Sequence, residues 1–382
     1  MNENKKDGLN FPKLGFGLMR LPQNGEEIDM PELCRMVDAY MESGMNYFDT
    51  AYMYCGGKSE SAIGEALVKR YPRESYFLTD KLPQWMMSGI EDRDKIFNDQ
   101  LARTGAGYFD LYLLHSVEDG SNYEGYVKYD CFNWAMQKKA EGKIKHFGFS
   151  YHGTPELLDE ILSAHPEVEI VQIQLNYADW NNPLVQSGGL YEVLRKHNKP
   201  ILVMEPVKGG SLASAAPHIE KLMKDTCPEN SVASWALRFV ASLPGVKTVL
   251  SGMSTEEQMR DNLKTFTNFR ALNETEQDVI RKAQEELTKN PTIQCTACRY
   301  CCDGCPQSIS IPDVFRAVNT LRLYGEDGRP HMFYHNLIEK SGRAGDCIAC
   351  GQCESVCPQH LPIIDLLKEA SEKLDKPLPW EE

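Results

Sequence analysis

From residue 11 to about residue 270, two hydrophobic periods take turns along the chain. Short apolar runs rich in β-branched and aromatic residues are each followed by a stretch with apolar positions at helical spacing. The runs at 14–19, 46–50, 76–81, 111–115, 145–150, 170–175, 201–205 and 248–251 predict eight strands. Helices are predicted over 30–43, 59–70, 154–164, 190–197, 230–241 and 255–264. Two helix starts carry clear caps, Thr154-Pro155-Glu156 and Ser254-Thr255-Glu256-Glu257. Strands that alternate with helices form a parallel sheet. Eight such units in this length predict an α/β fold, a closed (β/α)8 TIM barrel, for which about 250 residues is usual. A doubly wound open sheet is the alternative. It wants a Gly-rich dinucleotide loop after the first strand, and Gly15-Phe16-Gly17 lacks the third glycine and the following helix.

The pattern changes after residue 272. A charged helix is expected over 274–289, inside a helical linker placed at 273–290. Residues 291–382 are then expected to form a smaller, mainly helical domain, with a helix at 313–323. The barrel takes 1–272.

That small domain holds eight cysteines in two copies of one spacing. Cys295, Cys298, Cys301 and Cys305-Pro306 read C-x2-C-x2-C-x3-C-P, and Cys347, Cys350, Cys353 and Cys357-Pro358 repeat it. This is the iron–sulfur run of bacterial ferredoxins, in which the fourth cysteine reaches the other cluster. Two [4Fe-4S] clusters are therefore expected, with a crossed partition: Cys295, Cys298 and Cys301 with Cys357, and Cys347, Cys350 and Cys353 with Cys305. Zinc and disulfides are the competing readings. Zinc has no use for the third cysteine and the proline, and thiols two residues apart without an export signal argue against disulfides. Cys302 is the spare thiol, so either Cys301 or Cys302 could be the ligand.

Composition narrows the setting. The 382-residue chain carries a net charge of −14 and no basic run, which argues against nucleic acid as a partner. No window approaches the roughly 18 apolar residues of a membrane span. A cytoplasmic protein is expected, in an anaerobic cell if the clusters are exposed.

At the carboxyl ends of barrel strands, polar residues are read as chemistry. The end of strand two carries Asp49, with Tyr54 in the loop beyond; strand three ends in Lys81 and strand four in His115. Taken singly, the Lys and Asp could be an ordinary ion pair and the His a strand cap. Three successive strands delivering all four to one rim is harder to dismiss.

These residues, with the flanking FDTAYMY and DLYLLH sequences, resemble the aldo-keto reductases over most of residues 11–270. GFGLMRLP, MEPVKGG and CTACRYC are similar to a subgroup of that family that ends in a ferredoxin-like domain. The resemblance implies an oxidoreductase that reduces a small aldehyde or ketone with NADP or NAD. Tyr54 would be the general acid, Lys81 and Asp49 its tuning pair, and His115 the group that orients the carbonyl. The chemistry is sound on its own terms: a phenol with a pKa of about 10 is a poor acid at neutral pH unless a cation stabilises its phenolate. The family spacing selects Tyr54 over Tyr52.

By the same resemblance, Ser150 and Gln172 would hold the nicotinamide carboxamide and Met204 would lie against its ring. Gly252, Met253 and Ser254 would form the phosphate and adenosine site, with Asn262 at the adenine. Tyr151 stands where the family usually has Asn, and the basic residues that grip a 2′-phosphate are missing from residues 252–258, the nearest being Arg260.

A hydride carries two electrons and each cluster one, and no flavin motif is present to join them. Three readings stay open: a carbonyl reductase whose clusters are structural or sense redox state, a ferredoxin-linked oxidoreductase served by a ferredoxin or other electron-transfer protein, and a nucleotide-binding redox sensor or scaffold. Radical S-adenosylmethionine and metal-dependent hydrolase barrels fail on cysteine spacing and on the absence of a first-strand histidine. Trp85 and Trp180 are candidates for the substrate pocket, and Cys55 for an oxidation-sensitive thiol, each against a plain packing role.

Overall fold

In the computed structural model, eight parallel strands close into a barrel: β1 Leu14–Gly17, β2 Tyr47–Asp49, β3 Phe77–Pro83, β4 Phe109–Val117, β5 Ile144–Tyr151, β6 Ile170–Gln174, β7 Ile201–Met204 and β8 Val246–Ser251. Each pairs with its sequence neighbours, and β8 closes on β1 through Leu14 opposite Val249. The residues described are 9–25, 27–118, 120–181, 185–289, 292–293, 295, 299–324, 329–357 and 361–376. Cys298 lies outside them.

Two apolar layers hold the barrel. Inside it, Tyr47, Leu111, Leu113, Ile170, Leu202 and Leu250 interdigitate, and Leu9 joins them. Outside, the helices cover the opposite strand face. The helix Met30–Glu42 shows how: Asp29 accepts from Glu32 N at 2.9 Å and Pro31 follows, which starts it. Leu33, Met36, Val37 and Tyr40 then recur at helical spacing and are fully buried. Each such side chain contributes about 1.5–3 kcal/mol when removed from water. The Tyr40 hydroxyl, buried as well, donates to Leu14 O at 2.6 Å.

The helix expected over 59–70 breaks in the middle. An α-helical Ser59–Ile63 gives way to a π-turn at Gly64–Val68. Gly64 packs on the end of the helix Asp92–Thr104 so closely that a Cβ would come within 2.9 Å of Thr104 O. No side chain could stand there, and the wider turn accommodates that approach. Glu60 is thereby brought beside Arg103.

The described chain divides into two compact units. One runs to Ser214 and resumes at Leu222–Ile280; the other takes Ala215–Lys221 and everything from Arg281 onward. The helix Glu274–Lys289 spans that division, as a charged helix at the place expected for it. The second unit is helical, built from Ile311–Tyr324, Arg329–Ile338 and Ile363–Leu374 around Val314, Phe315, Val318, Leu367 and Leu374, with Cys301 and Cys353 buried among them. Among the described residues no helix is long and apolar enough to cross a membrane.

Candidate active site and cysteine centre

The barrel mouth gathers the strand-end residues. Pleating sends Lys81 of β3 inward, where it is fully buried. Its Nζ lies 2.6 Å from Asp49 Oδ1, 2.7 Å from Thr50 O and 3.3 Å from the Tyr54 hydroxyl. Three acceptors satisfy the three ammonium protons, as a buried charge requires. Tyr54 reaches this position because the chain reverses just after it. Cys55, Gly56 and Gly57 all have positive φ, which the glycines adopt without strain and Cys55 tolerates as part of that turn. Tyr52 goes elsewhere: its hydroxyl donates to Asp99 at 2.8 Å and accepts from Arg103 at 2.9 Å.

Electrostatics follow from this arrangement. Burial pulls the Lys81 pKa down, and the Asp49 carboxylate and then Tyr54 outweigh it, so it ends above its ordinary value. Burial lifts Asp49, against the pull of Lys81 and the hydrogen bonds from Lys81 and Gln172. Tyr54 is raised by burial, with Lys81 drawing it back. The arrangement sets the Lys81 ammonium between the Asp49 carboxyl and the Tyr54 phenol, which burial keeps protonated.

His115 sits at a β-bulge. The pairing of β4 with β5 slips between Leu114 and Val117, and Ser116 takes a φ of 59°. The ring meets Tyr54 edge-on at 6.0 Å and Trp85 at 5.1 Å. Burial, then Lys81 and His152, hold its pKa well below the usual histidine value, so the imidazole is neutral. Its Nδ1 is buried with no hydrogen-bond partner. Trp180 packs instead against Tyr191 and Phe239.

A cleft enclosing about 960 Å³, open mouth included, runs from Asp49 and Tyr54 past Gln172 and Met204 to Gly252, Met253 and Asn262. These seven of the expected residues line one continuous space. Two others do not. Ser150 Oγ accepts from Ser116 N at 2.7 Å and so holds the bulge that aims His115. Ser254 Oγ donates to Arg20 O at 2.9 Å, tying two loops together. Gln172 lines the cleft but gives its Nε2 to Asp49 at 3.2 Å, and Asn262 donates to Ser251 Oγ at 2.7 Å.

The helix Glu256–Thr267 begins at the far end of the cleft with its amides largely used. Thr255 accepts from Gln258 N, Gln258 accepts from Ser254 N, and Glu32 faces Glu256 N. The basic group in the cleft is Arg20, from the loop after β1, paired loosely with Glu205 at 3.8 Å. Sequence reasoning missed it because it looked for cations near residue 252, whereas Arg20 approaches Gly252 from the loop after β1, the strand paired with β8. Arg260 pairs with Glu256 instead. An elongated cleft floored by glycines, with one cation along it and polar groups at one end, fits a dinucleotide.

In the second unit, Cys305, Cys347, Cys350 and Cys353 line one apolar cavity with Ile309, Ile364 and Leu367. The fourth cysteine of the first run and the first three of the second thus face a common space. Among the described residues no three metal-binding side chains converge on one point. Four thiols ringing an apolar cavity suit a multi-iron cluster. Cys295, Cys301, Cys302 and Cys357 belong to the same core.

The fold and the rim define a parallel-barrel oxidoreductase. The profile of the aldo/keto reductase family matches residues 13–285, and that of the 4Fe-4S dicluster domain matches residues 294–361. The chain belongs to the aldo/keto reductase family. It is 26% identical over 297 residues to the uncharacterized oxidoreductase YqkF of Bacillus subtilis, covering 70% of this chain and 91% of that protein. It is 26% identical over 264 residues to an aldo-keto reductase of Mycobacterium avium, covering 68% and 82%. Among solved structures, an aldo-keto reductase from Klebsiella pneumoniae in complex with NADPH superposes with a TM-score of 0.58 at 21% identity, covering 72% of this chain and 92% of that one.

Proposed function

We propose that the barrel reduces an aldehyde or ketone at the expense of NADPH or NADH, with Tyr54 as general acid, and that the cysteine domain carries two [4Fe-4S] clusters. The observation that carries the first part is the Lys81 ammonium held between Asp49 and the Tyr54 hydroxyl at 2.6 and 3.3 Å. A nicotinamide bound in the cleft supplies the hydride, and an iron–sulfur cluster supplies or accepts one electron at a time. Tyr54 donates its proton to the carbonyl oxygen as negative charge builds there. Lys81 then stabilises the phenolate, which in a buried site would otherwise be costly. Asp49 and Thr50 O keep Lys81 charged and fixed in place. His115, neutral and braced by Trp85, has a hydrogen bond to offer the same oxygen and so sets the direction of the carbonyl. Ser150 serves this indirectly by holding the bulge. Arg20 attracts the nucleotide's phosphates, and Gln172, Met204, Gly252, Met253, Ser254 and Asn262 form the walls and ties of the nucleotide cleft.

For the clusters, Cys347, Cys350 and Cys353 with Cys305 hold one, on the strength of their shared cavity. Cys295, Cys298 and Cys301 with Cys357 hold the other. That cavity also supports a second reading, in which the clusters pass electrons between a partner protein and the barrel. An anaerobic titration with NADH and then NADPH, without added substrate, separates the two. Unchanged cluster absorbance alongside nucleotide binding is expected for the carbonyl reductase; bleaching would favour the electron-transfer reading. Retained turnover in Tyr54→Phe would overturn the acid assignment.

A further inference from the structure

Behind Lys81, in the layer between β3 and the helices, two carboxyls are buried together. The pleat that turns Lys81 inward turns Asp80 outward. Asp80 and Glu60 are both 0% exposed, and they are near enough for each to act on the other's charge. Asp80 Oδ1 accepts from Lys81 N and from Gln100 Nε2, both at 2.8 Å. Glu60 Oε2 accepts from Arg103 Nη1 at 3.2 Å. The other oxygen of each, Asp80 Oδ2 and Glu60 Oε1, is buried with no donor on it. Two carboxylates close together and out of water repel, and a single proton between them turns repulsion into a hydrogen bond. The two oxygens left without a donor are where such a proton would sit.

We propose that Asp80 and Glu60 share one proton at neutral pH, and that this acid–carboxylate pair is a positioning element for Lys81 whose deprotonation sets the alkaline limit of the reaction. The claim about Lys81 rests on the carbonyl-reductase reading; the shared proton does not. The pair's position explains the coupling. Asp80 adjoins Lys81 and takes its backbone amide, while Gln100 bridges Asp80 Oδ1 and Lys81 O at 2.8 and 2.9 Å. Any movement of Asp80 is therefore carried to the residue that holds Tyr54. The charged and titratable groups around the pair are Lys81 and Tyr54 on the barrel side, Tyr112 through its 2.5 Å bond to Gln100, and Arg103 with Asp99 and Tyr52 on the helix side. With one proton shared, the pair carries one negative charge, with Arg103 on Glu60 from the helix side and Lys81 on the barrel side. Burial first, then Glu60, raise the Asp80 pKa well above the carboxylate range, in keeping with this count.

Two measurements on the full, cluster-loaded chain test the proposal. Difference infrared spectra at neutral pH should show a protonated-carboxyl band in the wild type that is lost in both Asp80→Asn and Glu60→Gln. A band kept in both, or absent from the wild type, overturns the shared proton whether or not the protein reduces carbonyls. The profile of kcat/KM against pH reads the positioning role. Asp80→Asn puts a permanent donor where the proton sat, so its alkaline limb should move up by more than about one pH unit. A limb unmoved in Asp80→Asn and in Glu60→Gln would assign it to Tyr54 or Lys81 and overturn the positioning role. Should either variant fail to fold, the other carries both readings.

Discussion

Lys81 Nζ and Asp49 Oδ1 stand 2.6 Å apart on adjacent barrel strands, with their side chains 0% and 4% exposed. A pair so buried is weak evidence for stability, because desolvation offsets most of the attraction. Its retention here has a chemical reason: it places a permanent cation 3.3 Å from the phenol oxygen of Tyr54.

Removing one partner of that pair should be expensive. Lys81→Met takes the cation from the buried Asp49 and leaves Gln172 as its remaining side-chain partner, and a loss of about 3–5 kcal/mol is expected in anaerobic denaturant unfolding. The double variant with Asp49→Leu should recover much of it. A single-variant loss below about 1 kcal/mol would mean the pair is far better hydrated than its burial implies.

The two neighbouring tyrosines should separate cleanly. Tyr54→Phe is expected to lower kcat by roughly 10²–10⁴-fold, the usual range for removing a general acid, with nucleotide affinity near wild type. Tyr52→Phe removes only the contacts with Asp99 and Arg103. Steady-state kinetics with a panel of small aldehydes would decide, and a comparable loss in both variants would contradict the assignment.

Arg20 should matter for the nucleotide and not for the chemical step. Arg20→Ala is expected to weaken nucleotide binding by about tenfold, or about 1.4 kcal/mol, with kcat little changed. Equilibrium fluorescence titration gives the affinity, and an unaltered Kd would remove Arg20 from the phosphate site.

The buried carboxyl pair makes a prediction for stability as well. The Asp80 pKa is raised on folding by burial and by Glu60, so the folded state holds a proton that the unfolded chain releases above about pH 4. Stability must then fall as pH rises from there toward the folded pKa. Asp80→Asn, which carries no such proton, should gain on the wild type progressively across that window. Thermal unfolding at stepped pH values would reveal it, and a difference independent of pH would contradict the shared proton.

Iron analysis tests the cysteine centre. Anaerobic protein should contain about eight irons per chain, and Cys305→Ser about four. Cys302→Ser should retain the full complement; loss of a cluster there would move the ligand from Cys301 to Cys302. Zinc in place of iron would end the cluster reading.

Much of this site was legible in the sequence, for a physical reason. A strand buried on both faces and the amphipathic helix after it are local patterns; their alternation implies a parallel sheet, and eight units without a dinucleotide loop after the first strand favour the closed barrel. In such a barrel the strand ends converge, so Asp49, Lys81 and His115 could be gathered by counting strands, and Tyr54 by its distance from Asp49. The doubled cysteine run was equally plain, since its spacing reflects local folding around one centre. What the tertiary structure alone decided concerns groups that meet from distant parts of the chain. Ser150 supports the His115 bulge and Gln172 turns to Asp49; both choices depend on which polar atoms neighbouring strands leave unpaired. Arg20 reaches the wall at Gly252 because barrel closure sets β1 against β8. The helix after residue 58 breaks at Gly64 because another helix end arrives there, and that approach sets Glu60 near Arg103 and Asp80. No periodicity encodes such meetings. Each depends on the burial and hydrogen-bond demands of residues brought together only once the barrel has closed.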